Sequence, residues 1–430
     1  MVTPSSFTVN IPGLTNSATA SCQPTVDDHI LMGTSHPVTV LEGVRCGQRA
    51  NGTAAVLALG TSNPANCVRQ QEYSDWYFRV TKSDHLAQLR DKMKRICEKS
   101  GIKNRYFHHT EEMIAAHPEF LDRALPSLRT RLGITTAAMP ELAAAAARKA
   151  IAEWGRPAAD ITHLVVSTSS GVSSPGADVR VAALLGLRPT VRRVMHCLHG
   201  CAGGSVALRL AKDLAENNLG ARVLVVGVEA TALAFRGPDV ADLDALLAMA
   251  LFGDGAGAAV VGAGPMSSGE RPIFHMLSAS QVTLPETDNT VGIKVTESGL
   301  HFKVSPEMPK LVGENIKRCL ADTLAPFGLA SDWNGVFWAA VPASPAILDT
   351  YQAALGLEPG KLAASRRVLS EYGNMLAATI FFVLDQMRCR RGSGNKEGRE
   401  NCEWGVMLAI GPGITVEMMV LQAADTGDKD

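Results

Sequence analysis

Residues 192–218 read RRVMHCLHGCAGGSVALRLAKDLAENN. The opening RRVMHC looks like the end of a strand. AGGSVALRLAKDLAENN then reads as a helix, with apolar Val206, Leu210 and Leu214 on one face. A strand, a glycine-bearing turn and a helix in succession make one α/β unit. Cys201 falls in the turn, at the predicted N-terminus of the helix.

Other short apolar, β-branched runs flank this unit: AAVLALG (54–60), HLVVSTS (163–169), RVLVVGVE (222–229), GAAVVGAG (257–264), GVFWAAV (335–341), WGVMLAI (404–410) and ITVEMMVL (414–421). Their length and composition predict buried strands. Helices are expected between them. One is predicted over 140–157, opened by Pro140 and stopped by Gly155 and Pro157. Another is predicted over 305–328, with a Ser305 cap and Val312, Ile316, Leu320 and Leu324 at fourfold spacing. The pattern occurs twice, once up to Gly264 and again from Arg271 to Ala424. This predicts an α/β fold of two related halves, 53–264 and 265–424, with the site where they meet. Residues 1–52, rich in Ser, Thr and Pro, are expected to form a flexible extension, and 425–430 a tail. RCRRGSGNKEGREN (388–401) reads as a charged surface loop.

The cluster His196, Cys197, His199, Cys201 lacks the paired short spacings of zinc sites, and its two cysteines are not C-x-x-C. Neither a metal nor a redox pair is expected. A helix N-terminus favours a thiolate at Cys201, and Gly200, Gly203 and Gly204 let backbone and substrate come close. Spacing alone leaves a nucleophile and an inert buried cysteine as equal readings. Cys197 reads as a strand-end core residue. His196 and His199 read as packed bystanders.

With 41 Lys+Arg against 42 Asp+Glu, the chain carries a formal charge of −1 and no electrostatic footprint for nucleic acid. No apolar run is long enough to span a bilayer. Nine cysteines, an odd number, with no basic and apolar leader before them, predict a cytoplasmic protein with reduced thiols.

Five longer motifs make the chain recognisable: HGCAGGSVALRLAKDLAENN (199–218), TALAFRGPDVADLDALLAMALFGDGAGAAVV (231–261), SDWNGVFWAA with PASPAILD (331–349), VLSEYGNM (368–375) and WGVMLAIGPGITVE (404–417). Together they resemble the plant type III polyketide synthases, the chalcone and stilbene synthase family, from about Ala54 to Ala423. The resemblance implies a thiolase-type fold, two βαβαβ halves in αβαβα layers, acting as a homodimer. It implies no bound cofactor. The substrates it implies are an acyl-CoA starter and malonyl-CoA, joined by decarboxylative Claisen condensation. Cys201 matches the family nucleophile, and Asn374 the residue that holds the malonyl thioester oxygen. Phe252 and Phe302 match the gatekeeping phenylalanines. Lys92, Arg95 and Lys99 match basic positions that meet CoA. Ser174, Ala234, Ile293 and Leu376 match positions of the substrate pocket.

The catalytic loop departs from the family. Where the family has His-Pro-Gly-Gly-Pro, this chain has Val341-Pro342-Ala343-Ser344-Pro345, and no histidine follows His301. Loss of one oxyanion donor costs on the order of 10²–10³ in rate, and loss of thiolate activation adds to that. Ala343 and Ser344 are expected to narrow the tunnel, and Ser344 to offer a hydroxyl. Ile410 stands where the family has Phe before the kept GPG loop. Three functions follow: a polyketide synthase of altered specificity with a fatty-acyl or cinnamoyl-type starter, a silent homologue that binds CoA esters or pairs with an active subunit, and, last, a fatty-acid-initiating ketoacyl synthase.

Overall fold

All seven runs expected as strands lie in one mixed sheet. A computed structural model describes residues 49–392 and 401–424. Its strands are β1 (Ala55–Ser62), β2 (Asn66–Arg69), β3 (Asn104–Phe107), β4 (His163–Thr168), β5 (Arg192–Cys197), β6 (Arg222–Glu229), β7 (Gly255–Gly262), β8 (Phe274–Thr283), β9 (Val291–Thr296), β10 (Gly299–Val304), β11 (Phe337–Ala340), β12 (Trp404–Gly411) and β13 (Thr415–Ala423). Nine of them form the sheet β11-β12-β13-β8-β1-β7-β6-β4-β5.

The duplication is written in that order. In the first set β4 and β6 are parallel, β6 and β7 antiparallel, and β7 and β1 antiparallel. In the second set β11 and β12, β12 and β13, and β13 and β8 repeat the same three relations. The second set lacks a counterpart of β5 among the described residues. The sets join through a short antiparallel contact of β1 with β8, Ala55 with His275 and Val56 with Phe274.

Burial explains the layers. β4, β6 and β7 are buried along their whole length, as strands covered on both faces must be. The helix Leu128–Trp154 covers one face with Ala143, Ala146, Ala147 and Ala150 packed on Leu57, Val166 and Val260. The alanines matter because the helix lies so close to β1 that a Cβ on Gly60 would sit 2.3 Å from the Ala146 carbonyl oxygen. On the other face, helices Gly203–Asn217 and Thr379–Gly392 share one core with strands of both sets. Along β12, Met407 and Ala409 turn to these inner helices. Val406, Leu408 and Ile410 turn to a third core, shared with helices Met308–Leu324 and Pro345–Leu355. Helix, sheet, helix, sheet, helix is the thiolase-type arrangement.

Three expectations are corrected. The helix predicted to open at Pro140 begins at Leu128 and carries Pro140 in its interior. The packed alanine face outweighs the one backbone donor that proline removes. The helix predicted from Ser305 begins at Met308. The Ser305 hydroxyl instead accepts from the Glu307 N–H in the preceding turn. Residues 388–392 of the expected loop belong to the helix Thr379–Gly392, and 393–400 lie outside the described residues. The expected extension falls mostly outside the described residues, which begin at 49, and the Ala50 N–H donates to the Glu216 carbonyl at 3.0 Å. No helix among the described residues is long and apolar enough to cross a membrane.

Candidate active site

β5 runs into a 3₁₀ turn, Gly200–Ala202, and the helix Gly203–Asn217 follows directly. Cys201 therefore sits at the helix N-terminus. In the second half, the chain leaves the helix Ala363–Tyr372, passes Asn374, and turns through Leu376–Ala378 into the helix Thr379–Gly392. The two entrances meet. Contact this close requires glycine: a Cβ on Gly204 would lie 2.2 Å from the Ala377 carbonyl oxygen, and one on Gly227 2.5 Å from it.

Asn374 is fully buried, and its amide orientation is set by its partners. Its Oδ1 accepts from the Leu376 N–H at 2.9 Å and the Thr379 hydroxyl at 3.4 Å. Its Nδ2 donates to Cys201 Sγ at 3.1 Å and to the Ala343 carbonyl at 3.1 Å. Leu376 adopts φ +47 to make this turn, a left-handed conformation that costs a branched residue about 1–2 kcal/mol. Backbone bonds also tie Asn374 to the two neighbours of Phe252. Its N–H donates to Leu251 O and its carbonyl accepts from the Gly253 N–H, both at 3.0 Å.

Cys201 and Asn374 line a cavity of about 830 Å³. Phe252 and Phe302 line it too, their rings edge to face at 4.7 Å. Ile293, Leu376 and Ile410 give it aliphatic walls. Lys92, Arg95 and Lys99 reach it from one face of the helix Ala87–Lys99, whose opposite face buries Leu89, Met93 and Cys97. Arg95 and Lys99 are exposed, so the basic trio marks the mouth. Ala343 and Ser344 are on the wall. The Ser344 oxygen also caps the helix Pro345–Leu355, accepting from the Ile347 N–H.

Two expected pocket residues, and Val341 of the catalytic loop, are off the cavity wall. Ala234 is buried beneath the cavity and is not on its wall. Ser174 is exposed and likewise off the wall, in the surface loop after β4. Val341 follows β11, its N–H donating to Leu408 O at 2.8 Å. Its side chain is 1% exposed and lies in the apolar cluster that packs against Cys201, off the cavity wall. His196 and His199 face each other at 5.0 Å, and neither hydrogen-bonds to Cys201. Burial takes His196 down to about 4, so it is neutral. Among the described residues no group of three or more His, Cys, Asp or Glu is placed to hold a metal ion.

The electrostatics correct a further expectation. The helix N-terminus was expected to lower the Cys201 pKa. Instead burial pushes the thiol up to about 11, against the Asn374 hydrogen bond that lowers it, while the Glu229 carboxylate adds to the rise. Among the described residues no cation stands beside the sulfur to offset desolvation. Sequence reasoning missed Glu229, Thr379 and the Ala343 carbonyl. The last two act by fixing Asn374, and no spacing announces that.

A thiolase-type duplication with a cysteine at an inner-helix entrance, an amide donor beside it and an apolar tunnel with a basic mouth defines a CoA-dependent acyltransferase of the type III polyketide synthase class. The chain belongs to the chalcone and stilbene synthase family. The model of "Chalcone and stilbene synthases, N-terminal domain" matches residues 41–265, and that of the C-terminal domain matches 275–425. The chain is similar to the bisdemethoxycurcumin synthase of Oryza sativa subsp. japonica, 57% identical over 387 residues, covering 88% of this chain and 95% of that protein.

The raised thiol pKa has a measurable consequence. Alkylation of Cys201 by iodoacetamide, followed by peptide mass analysis, should climb about tenfold per pH unit from pH 7 to 9 without a plateau. Asn374→Ala should lower the rate about tenfold or more at each pH, because it removes a donor to the charged form. A plateau near pH 7 would show an activated thiolate and contradict the assignment.

Proposed function

We propose that Cys201 carries the acyl chain and Asn374 supports both steps of its chemistry. The observation that carries this is the 3.1 Å contact of Asn374 Nδ2 with Cys201 Sγ at the cavity. In loading, Cys201 Sγ bonds to the starter's carbonyl carbon and the bond to the CoA sulfur breaks. The cysteine's proton goes, through solvent, to the departing CoA thiolate. Once acylated, the sulfur is a poor acceptor, which frees the Nδ2 proton for the malonyl thioester oxygen. Malonyl-CoA then loses CO₂, Asn374 stabilises the enolate oxygen, and the enolate carbon bonds to the acyl-Cys201 carbonyl carbon as that carbon's bond to Sγ breaks, leaving a β-ketoacyl-CoA and a Cys201 thiolate that takes a proton from solvent. Lys92, Arg95 and Lys99 receive the CoA phosphates, and Phe252 with Phe302 gates passage into the cavity. No bound cofactor is required.

Val341 replaces the histidine of the family's catalytic loop and supplies no donor. The enolate is left with Asn374 alone, so condensation is slowed on the order of 10²–10³. The aliphatic walls from Ile293, Leu376 and Ile410 favour an apolar starter, fatty-acyl or cinnamoyl. The relative's curcuminoid product makes the cinnamoyl type the first to try. A second reading, a homologue that binds CoA esters without condensing them, draws support from the same Val341 and the raised Cys201 pKa. We also assign the halves to 53–264 and 265–424, the extension to 1–52 and the tail to 425–430, and place the reaction in the cytoplasm.

Homodimerisation belongs to the same proposal. β5 is a sheet edge with Val194 exposed, and the Ser174 loop lies near it in the chain, so a second copy would cover both. Sedimentation at twice the 45.5 kDa chain mass is expected, and a species at the chain mass at micromolar concentration would overturn it.

CO₂ release from malonyl-CoA separates the two catalytic readings. The wild type should turn over slowly, and Val341→His should gain on the order of 10²–10³-fold. Release only from the Val341→His protein would establish the silent homologue. Fast release by the wild type, with no gain from histidine, would remove Val341 from the account.

A further inference from the structure

The helix Leu243–Leu251 runs along the cavity wall. Leu243, Asp244, Leu247, Ala248 and Leu251 line it, and Phe252 follows at the inner end. The spacing puts 244, 247, 248 and 251 on one helix face. Leu243 is 41% exposed at the outer end, whereas Phe252 is buried. Asp244 therefore stands near the mouth, on the face turned to the cavity.

Asp244 is the only carboxylate among the lining residues. The helix does not need it as a cap, because Asp242 already accepts from the Ala245 N–H at 3.0 Å. Among the described residues its side chain has no hydrogen bond or ion pair, and the same is true of Lys92, Arg95 and Lys99 in the same cavity. A carboxylate accepts and cannot donate. It repels the phosphates that the cations receive, and it needs a donor from the ligand.

Depth selects the donor. Eight residues separate Asp244 from Phe252, about 12 Å at the rise of an α-helix. Phe252 stands at the level of the nucleophile: Leu251 and Gly253 are bonded to Asn374, whose Nδ2 lies 3.1 Å from Cys201 Sγ. In an extended CoA thioester the second amide N–H of the pantetheine arm is seven bonds from the sulfur and the hydroxyl ten, roughly 9 and 12 Å. The first phosphorus is roughly 16 Å away, and the adenine amine is farther still.

We propose that Asp244 accepts a hydrogen bond from the outer part of the pantetheine arm, its second amide or its hydroxyl, and so sets the depth at which the thioester meets Cys201. This rests on the reading of the cavity as a CoA tunnel. The basic helix holds the nucleotide by charge, and Asp244 holds the arm.

The probes are S-octyl thioethers of pantetheine and of N-acetylcysteamine. Both carry the same apolar tail, and the second keeps only the first amide of the arm. Neither can transfer an acyl group, so calorimetry reads binding without chemistry. The wild type should prefer the pantetheine thioether. Asp244→Ala should lower that preference about tenfold or more, the range for a hydrogen bond to a charged group. A role confined to helix stability would move both affinities together and leave their ratio alone. A ratio within about twofold of wild type in folded Asp244→Ala would overturn the proposal. If that variant does not fold, Asp244→Asn keeps the shape with a weaker acceptor, and an unchanged or larger preference would equally overturn it. A pantetheine thioether without the hydroxyl separates the two donors. Dependence on Asp244 that persists assigns the amide, and dependence that is lost assigns the hydroxyl. S-octyl-CoA tests the reading beneath. If it does not bind the wild type, the tunnel reading falls and this inference with it. If it binds while the ratio is unmoved, only this inference falls.

Discussion

Asn374 spends every hydrogen bond its amide can make on holding one point in space. Its oxygen is fixed by Leu376 and Thr379 of its own turn. Its nitrogen reaches Cys201 in the first half and Ala343 in the second. The inner helices can meet there only because Gly204 and Gly227 leave room for the Ala377 carbonyl. Phe252 is placed by backbone bonds of its two neighbours to the same asparagine. Site geometry and the seam between the halves are thus one constraint.

Against that constraint stands the cost of burying a thiolate. The helix entrance and one amide donor do not offset desolvation, and Glu229 works against ionisation. An imidazole beside the sulfur would remove the difficulty by ion pairing. In our proposal the side chain at that position is the buried, apolar Val341, so that thioesters would be bound and oriented beside a nucleophile that stays mostly protonated.

Much of this was legible in the sequence. Buried strands announce themselves by unbroken runs such as RVLVVGVE, because both faces are covered. The Cys201 turn, the Phe pair and the basic helix face follow from local pattern and family likeness, and the structure brings them to one cavity. Helix starts were less legible. Pro140 looked like an opening because its local signal is strong, and only the packed alanine face across β1 reveals the earlier start. Ala234 and Ser174 were placed by likeness alone, and their side chains do not reach the cavity of this chain. Thr379 and the Ala343 carbonyl carry no spacing signature. Their relation to Cys201 and Asn374 exists only once the chain is folded.

The central claim is that Cys201, and not its neighbour Cys197, takes the acyl group. Intact mass after incubation with an apolar acyl-CoA tests it most directly. The account predicts a single acyl adduct on the wild type and on Cys197→Ala, and none on Cys201→Ala. An adduct that survives in Cys201→Ala, or one lost in Cys197→Ala, would contradict it.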